Sequence, residues 1–427
     1  MDFGGLFKKN EKQESLTILI DIGGTSVGGA IVRNELGKAP HVIYSYREKI
    51  PPIHSISFER LLGSTLKTLR NVAHTIEKDG FRHLNFTGDK SAGNYSVCCT
   101  LSSPWEKTIV KNILIEKAEP FIVGDQYVAS LVDAELEKFK STLADEVSIA
   151  LYGKNPTIIE NTIVRALVNG YSVSKIIDSK VNRISLTAVF SLSPSLITKA
   201  VEGILHKRFR YDSIRWSSFM LASFLTLRDH FPLKDDFILL QIGGDITEIY
   251  IVKKDTIIQS ISFPFGYNFL YKKAKERYED ISPEIIRSHL GIRAHDTEQP
   301  IGGTELDKIL EQAEKDWLTL FYSSLKDTSE EMFMPKDIFL SADADIAEIF
   351  ASFIERSTFS QYGVAHGIFA VTTIQDKTLS HAVTVKEGIT PDPSLLLEAV
   401  YTHTVRYAKP TGGVVAERKI QRYDIVK

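Results

Sequence analysis

Cysteine is nearly absent: the chain has two, Cys98 and Cys99, side by side in an apolar stretch. Neighbours on a strand point to opposite faces, so the pair cannot close an ordinary disulfide, and a reducing cytoplasm is the expected compartment. Long apolar runs are missing too. No stretch reaches the roughly 18 to 20 residues of a spanning helix, and residues 1–10 lack the apolar core of a signal peptide. Any membrane contact is therefore expected to be peripheral or through a partner. Charge of one sign is also lacking: a formal net charge of −3 over 427 residues gives no reason to expect nucleic acid. The eleven histidines show no metal-ligand spacing, and no Ser-His-Asp or Cys-His arrangement stands out.

What is present is an internal repeat. After a polar leader, 1–15, the apolar run 16–20 ends at Asp21 and reads as a buried strand feeding a glycine-rich turn. A second strand over 28–33, a turn over 34–37 and a third strand over 41–46 follow. The spacing then predicts a helix over 58–76 with one apolar face. The same order returns with a strand over 237–240, the turn Gln241-Ile-Gly-Gly-Asp245, strands over 246–252 and 257–263, and a helix from Tyr267. Gln241 follows Asp21 by 220 positions. Such repetition predicts a duplicated α/β lobe with a cleft between two glycine turns.

The stretch between the halves reads differently. Residues 94–207 are expected to form an inserted α+β subdomain, with helices around 128–140 and 158–167, a turn at Asn169-Gly-Tyr171, a strand over 183–191 and a helix over 194–205. The resulting division is a leader 1–15, a first lobe 16–93, the insert 94–207, a second lobe 208–375 and a C-terminal segment 376–427. Residues 291–303 are polar and read as a loop.

The chemistry is expected at the two turns. In Ile20-Asp-Ile-Gly-Gly-Thr-Ser-Val-Gly-Gly29, Gly23 and Gly24 let backbone amides approach phosphate oxygens, and Thr25 and Ser26 add hydroxyl donors. Asp21 could hold a magnesium ion through water, because that ion keeps much of its hydration shell. The second turn offers Gly243, Gly244, Asp245 and Thr247 in matching positions. A capped β-hairpin is the bland reading of either turn alone; the pair is more specific.

Together the turns resemble the phosphate-one and phosphate-two motifs of the actin, sugar-kinase and heat-shock-chaperone superfamily. The resemblance implies a duplicated actin-like, ribonuclease H-like two-lobed α/β fold around an ATP and magnesium site. Within it the chain is similar to the FtsA and PilM proteins, which carry a strand-helix-strand-strand subdomain between these motifs and a turn like Ser260-Ile-Ser-Phe-Pro-Phe-Gly266. The resemblance covers about 16–354 and implies further site residues. Glu284 and Arg287 fall where the family helix lines ribose and adenine, although a solvated helix face is an equal reading. Ser341, Ala342 and Asp343 replace the glycine pair of the adenosine motif and can obstruct adenine. Gln241 stands at a metal-orienting position that normally holds Asp, so it cannot act as a carboxylate base, and at most a weak ATPase is expected. Glu248 reads as a surface residue.

Several functions stay open on these residues. The leading one is an FtsA-like ATP-binding scaffold of envelope assembly and cell division, with nucleotide as a switch. Its expected partners are other copies in filaments or dimers, cytoplasmic tails of membrane proteins or a tubulin-like division protein, with no nucleic acid. Its expected place is the inner face of the membrane, through partners or a weak terminal anchor over 416–426. The alternatives are a PilM-like platform for type IV pilus assembly, a nucleotide-free interaction module, and a sugar kinase. The kinase lacks its usual Asn-Asp motif and zinc ligands.

Overall fold

A computed structural model describes residues 15–51, 58–84, 95–142, 156–173, 176–231, 234–295, 304–329, 334–357 and 369–407. Residues 1–14 of the leader and the 416–426 segment lie outside these residues, as does 296–303 of the expected polar loop, while Ser15 opens the first strand. Residues 291–295 of that loop end a helix instead.

The first sheet begins as an antiparallel meander of β1 (Ser15–Ile22), β2 (Ser26–Asn34) and β3 (His41–Lys49). It continues with β4 (Ser96–Leu101), parallel to β1, and β9 (Ile214–Ser218), parallel to β4. The second sheet repeats the plan. Its meander is β10 (Phe237–Ile242), β11 (Thr247–Lys253) and β12 (Thr256–Phe263), and β13 (Asp337–Ser341) and β14 (Ala370–Thr373) add parallel strands in the corresponding places. The first sheet has one extra edge, β15 (Thr384–Val385), paired to β3.

The apolar run of β1 follows from burial on both faces. Ile18, Ile20 and Ile22 join one core with helix α1 (Phe58–Lys78), whose Leu62, Leu69, Val72 and Ile76 form its buried stripe. Leu19 points the other way, into a core that also takes Leu239 and Tyr250 of the second sheet. Cys98 and Cys99 split between these same two cores and stay unpaired. At the junction of the lobes, α4 (Phe219–His230) packs against α10 (Pro393–Tyr407), and residues 395–403 of α10 are all buried. Leu395, Leu396, Leu397, Ala399, Val400 and Tyr401 supply the apolar faces that such a position requires, and Glu398, Thr402 and His403 are buried with them.

A separate four-stranded sheet runs β5 (Lys107–Ile122), β8 (Lys180–Ser193), β6 (Thr157–Val168) and β7 (Tyr171–Ser172), covered by α2 (Asp125–Thr142). Its chain order is strand, helix, strands. The Asn169-Gly170 turn adopts positive φ at both residues, 50° and 90°, which suits a two-residue hairpin.

Two expectations change. The helix expected over 158–167 is strand β6. Register shifts at Ile158/Glu160 and Ile163/Arg165 break its alternation, so buried residues fall in pairs that mimic helical spacing. The insert is shorter than 94–207: β4 belongs to the first sheet, and α3 (Ser195–Leu205) buries Ile197, Val201 and Leu205 in the first-lobe core. Within the C-terminal segment, β15 joins the first sheet and α10 the inter-lobe core.

Candidate functional site

Both glycine turns are closed in the same way. Gly23 donates its amide to the Ser26 carbonyl at 3.0 Å, and 220 positions on Gly243 donates to Ile246 at 2.9 Å. The turns meet across the cleft. A Cβ built on Gly244 would stand 2.7 Å from Thr25 Cγ2, so only a bare backbone permits this approach. Helix α5 (Tyr267–Lys275) starts against the second turn, its Tyr267 and Asn268 amides donating to the Gly243 and Gly244 carbonyls at 3.0 and 2.7 Å.

Beside this contact lies a cavity of about 230 Å³. Gly24 and Thr25 of the first turn and Asp245 of the second reach it, as do Glu284 and Arg287 of α6 (Pro283–His295) and Asp343 ahead of α8 (Ala344–Arg356). Lys49, Tyr267, Asn268, Tyr271, Lys272 and Lys275 complete much of the wall, with Ile50, Pro51 and Leu61 on an apolar side. Lys272 Nζ bonds Asp245 Oδ1 at 2.8 Å. Arg287 stacks over the Tyr267 ring at 5.1 Å and bonds its hydroxyl at 3.0 Å. Cations, tyrosine faces and backbone turns together suit a flat, anionic ligand.

A second hollow of about 50 Å³ adjoins the first and is lined by Asp21, Gly23, Ser26, Arg47, Gln241, Gly243, Ser341 and Ala342, with Gly24, Thr25 and Asp343 shared between the two. The sequence-expected residues are thus largely brought together. Thr247 is not. It is fully buried behind the second turn, where its hydroxyl donates to the Phe265 carbonyl and accepts the Trp317 indole N–H. Glu284 stands exposed at the rim.

Glu248 corrects the sequence reading as well. It is buried, pairs in register with Gln241 and accepts from the Tyr250 hydroxyl at 3.0 Å. Burial raises its pKa, and raises that of nearby Glu106 well above the ordinary value. A third buried carboxyl, Glu160, accepts from Ser191, Ser217 and Ser218 at 3.1, 2.7 and 2.6 Å, tying the inserted sheet to the first lobe. Burial pushes Glu160 up to about 7 against those hydrogen bonds.

The residue that sequence reasoning missed most is Arg47. Its Nη2 bonds Asp21 Oδ2 at 2.6 Å, its Nε and Nη2 bond Asp392 Oδ2 and Oδ1 at 2.5 and 3.1 Å, and its Nη1 bonds Ser26 Oγ at 3.0 Å. Burial disfavours the guanidinium charge, but Asp392 and Asp21 hold its pKa well above the usual value. Burial also acts to raise Asp392, yet Arg47 keeps that carboxyl below the ordinary range. Asp21 is raised, burial outweighing the attraction of Arg47. The missed α5 residues had a signal: Asn268, Tyr271, Lys272 and Lys275 recur at i, i+3, i+4 and i+7, one stripe of a helix.

No family model matches the chain, and no curated protein matches it. Among solved structures, the chain is similar to one described as a PilM–PilN type IV pilus biogenesis complex, with TM-score 0.56 and 13% identity over 93% of this chain and 100% of that one. The fold is actin-like. Weaker likenesses are to the ethanolamine utilization protein EutJ from Carboxydothermus hydrogenoformans (TM-score 0.38, 11% identity, 92% and 91% covered) and to a Bacteroides thetaiotaomicron protein with an actin-like ATPase fold (0.37, 10%, 93% and 99%).

An actin-like cleft implies magnesium beside the phosphates, and the residues present do not fit that ion. Asp21 already faces a guanidinium, and the opposite position is the carboxamide of Gln241. A divalent ion at Asp21 would have to compete with that guanidinium for the carboxylate, against like-charge repulsion. Among the described residues no group of three or more His, Cys, Asp or Glu is placed to hold a metal. Nor, among them, is any helix long and apolar enough to cross a membrane.

Proposed function

We propose that this chain is an actin-like nucleotide-binding assembly protein, in which ATP in the cleft sets lobe closure and, through it, partner binding. The observation that carries this reading is the contact of Thr25 with Gly244: a ligand gripped by both turns would bridge the lobes where the two glycine turns meet. Gly23 to Ser26 and Gly243 to Asp245 would face the phosphates. Lys49 and Arg287 would neutralise charge, and Tyr267 and Tyr271 would offer faces to the base. With Gln241 in place of a carboxylate, occupancy rather than turnover is the signal.

The likeness to PilM in complex with PilN favours a platform that captures a partner protein, such as the cytoplasmic tail of a membrane protein, over the division-ring role. Its place would then be the inner face of the membrane through that partner. Titration of the full-length protein with a fluorescent ATP analogue tests the nucleotide reading. Micromolar binding is expected, with Lys49→Ala/Arg287→Ala weaker by about tenfold or more. Failure of the parent to bind at millimolar analogue would leave the nucleotide-free interaction module as the better account.

A further inference from the structure

Asp21, at the end of β1, is the carboxylate placed to serve a cation, and three observations show it committed elsewhere. Arg47 reaches it at 2.6 Å from β3, and the side chains of the pair are only 20% and 7% exposed. A second carboxylate, Asp392, clamps the same guanidinium from the start of α10, where its Oδ1 also accepts the Leu395 amide at 3.0 Å. Space is reserved for the arginine as well. Gly28 lies opposite Arg47 in the β2–β3 register, and a Cβ there would stand 2.7 Å from Nη2 and 2.9 Å from the central guanidinium carbon. This glycine serves the arginine rather than a ligand.

Resting on the nucleotide reading above, we propose that the Arg47 guanidinium takes the place of the divalent cation, so that this cleft binds the nucleotide polyphosphate without magnesium. The geometry supplies what the exchange needs. Four of the five guanidinium N–H groups are engaged by Asp21, Asp392 and Ser26, which fixes the plane. The remaining N–H is on Nη1, beside Ser26 in the first glycine turn. Lys49 lies two residues further along β3, on the same face, and lines the adjoining cavity. A planar, permanently charged donor held by two carboxylates is pre-organised for a phosphate oxygen, whereas a hydrated ion would have to displace it.

The test is titration of the full-length protein with the fluorescent ATP analogue in excess magnesium and in excess EDTA, with thermal unfolding followed in parallel. The expected result is a Kd that changes less than about threefold between the two, and no rise in Tm on adding magnesium alone. The variant Arg47→Met/Asp392→Asn removes one charge of each sign and frees Asp21. In it, binding should become at least about tenfold tighter in magnesium than in EDTA. Loss of tenfold or more in parental affinity on chelation overturns the proposal whether or not the variant folds, and leaves the nucleotide reading standing. Absence of parental binding in both buffers overturns both.

Discussion

Gly28 and Arg47 face each other across the antiparallel β2–β3 ladder, with the guanidinium lying where a glycine side chain would begin. Gly28→Ala is therefore expected to cost about 1 to 3 kcal/mol by overpacking. Arg47→Ala alone should cost about 3 to 5 kcal/mol, because Asp21 and Asp392 lose the charge between them. Urea denaturation of both single variants and the double variant measures the coupling. The double variant should be more stable than the sum of the singles implies, by about 1 kcal/mol or more. Simple additivity would mean that the glycine is not there for the arginine.

Glu160 makes stability depend on pH. Its carboxyl titrates near 7 in the fold and near the ordinary 4.5 when unfolded, so between those values the folded state binds the extra proton. Its contribution is then fully present below about pH 4.5 and is lost as pH rises through 7, by roughly 3 kcal/mol. His230 and His403, lowered to about 4 by burial, act in the opposite sense below pH 6.5. Comparison with Glu160→Gln cancels them. The difference in unfolding free energy between parent and variant should shift by a few kcal/mol between pH 5 and pH 8. A constant difference would refute the assignment.

Contact between the turns can be set against ligand binding. Gly244→Val would drive a side chain into Thr25 Cγ2, 2.7 Å away, and into Asn268 Nδ2 at 3.0 Å. The variant is expected to lose analogue affinity by about tenfold or more. Thr25→Ser, which deletes the methyl group, should recover part of the loss in the double variant. If Gly244→Val binds as the parent does, the ligand does not sit between the turns.

Thr247 separates support of the turn from contact with ligand. Thr247→Val should lower stability by about 1 to 3 kcal/mol, since the Trp317 indole loses one acceptor and the Phe265 carbonyl one donor. Calorimetry checks this, and analogue affinity should stay within about twofold. A larger loss of affinity would return Thr247 to the cleft.

How far the chain could be read depended on whether a local pattern reported a local structure. The two meanders and their glycine turns were legible because Asp21 and Gln241 begin the same sequence of runs. Strand β6 reads as a helix in sequence because its bulges at Ile158/Glu160 and Ile163/Arg165 give a pleated strand paired burial. Nothing beside Arg47 in sequence explains it; its meaning comes from Gly28 across the ladder and from Asp392, 345 positions on. Asp392 had a signature of its own, an acidic residue before Pro393 opening an apolar helix. That signature foretells a helix start and not the partner it meets.

The reach of α10 bears on how the protein is made. At a translation rate of about 5 to 20 residues per second, roughly 20 to 70 s separate the emergence of Arg47 from that of Asp392. Until then β3 lacks its neighbour β15, and the inter-lobe core lacks α10. The amino-terminal lobe is therefore incomplete, with apolar surface uncovered, until α10 has left the ribosome. A fragment ending before α10 is expected to keep that apolar surface exposed and to go to chaperones or proteases.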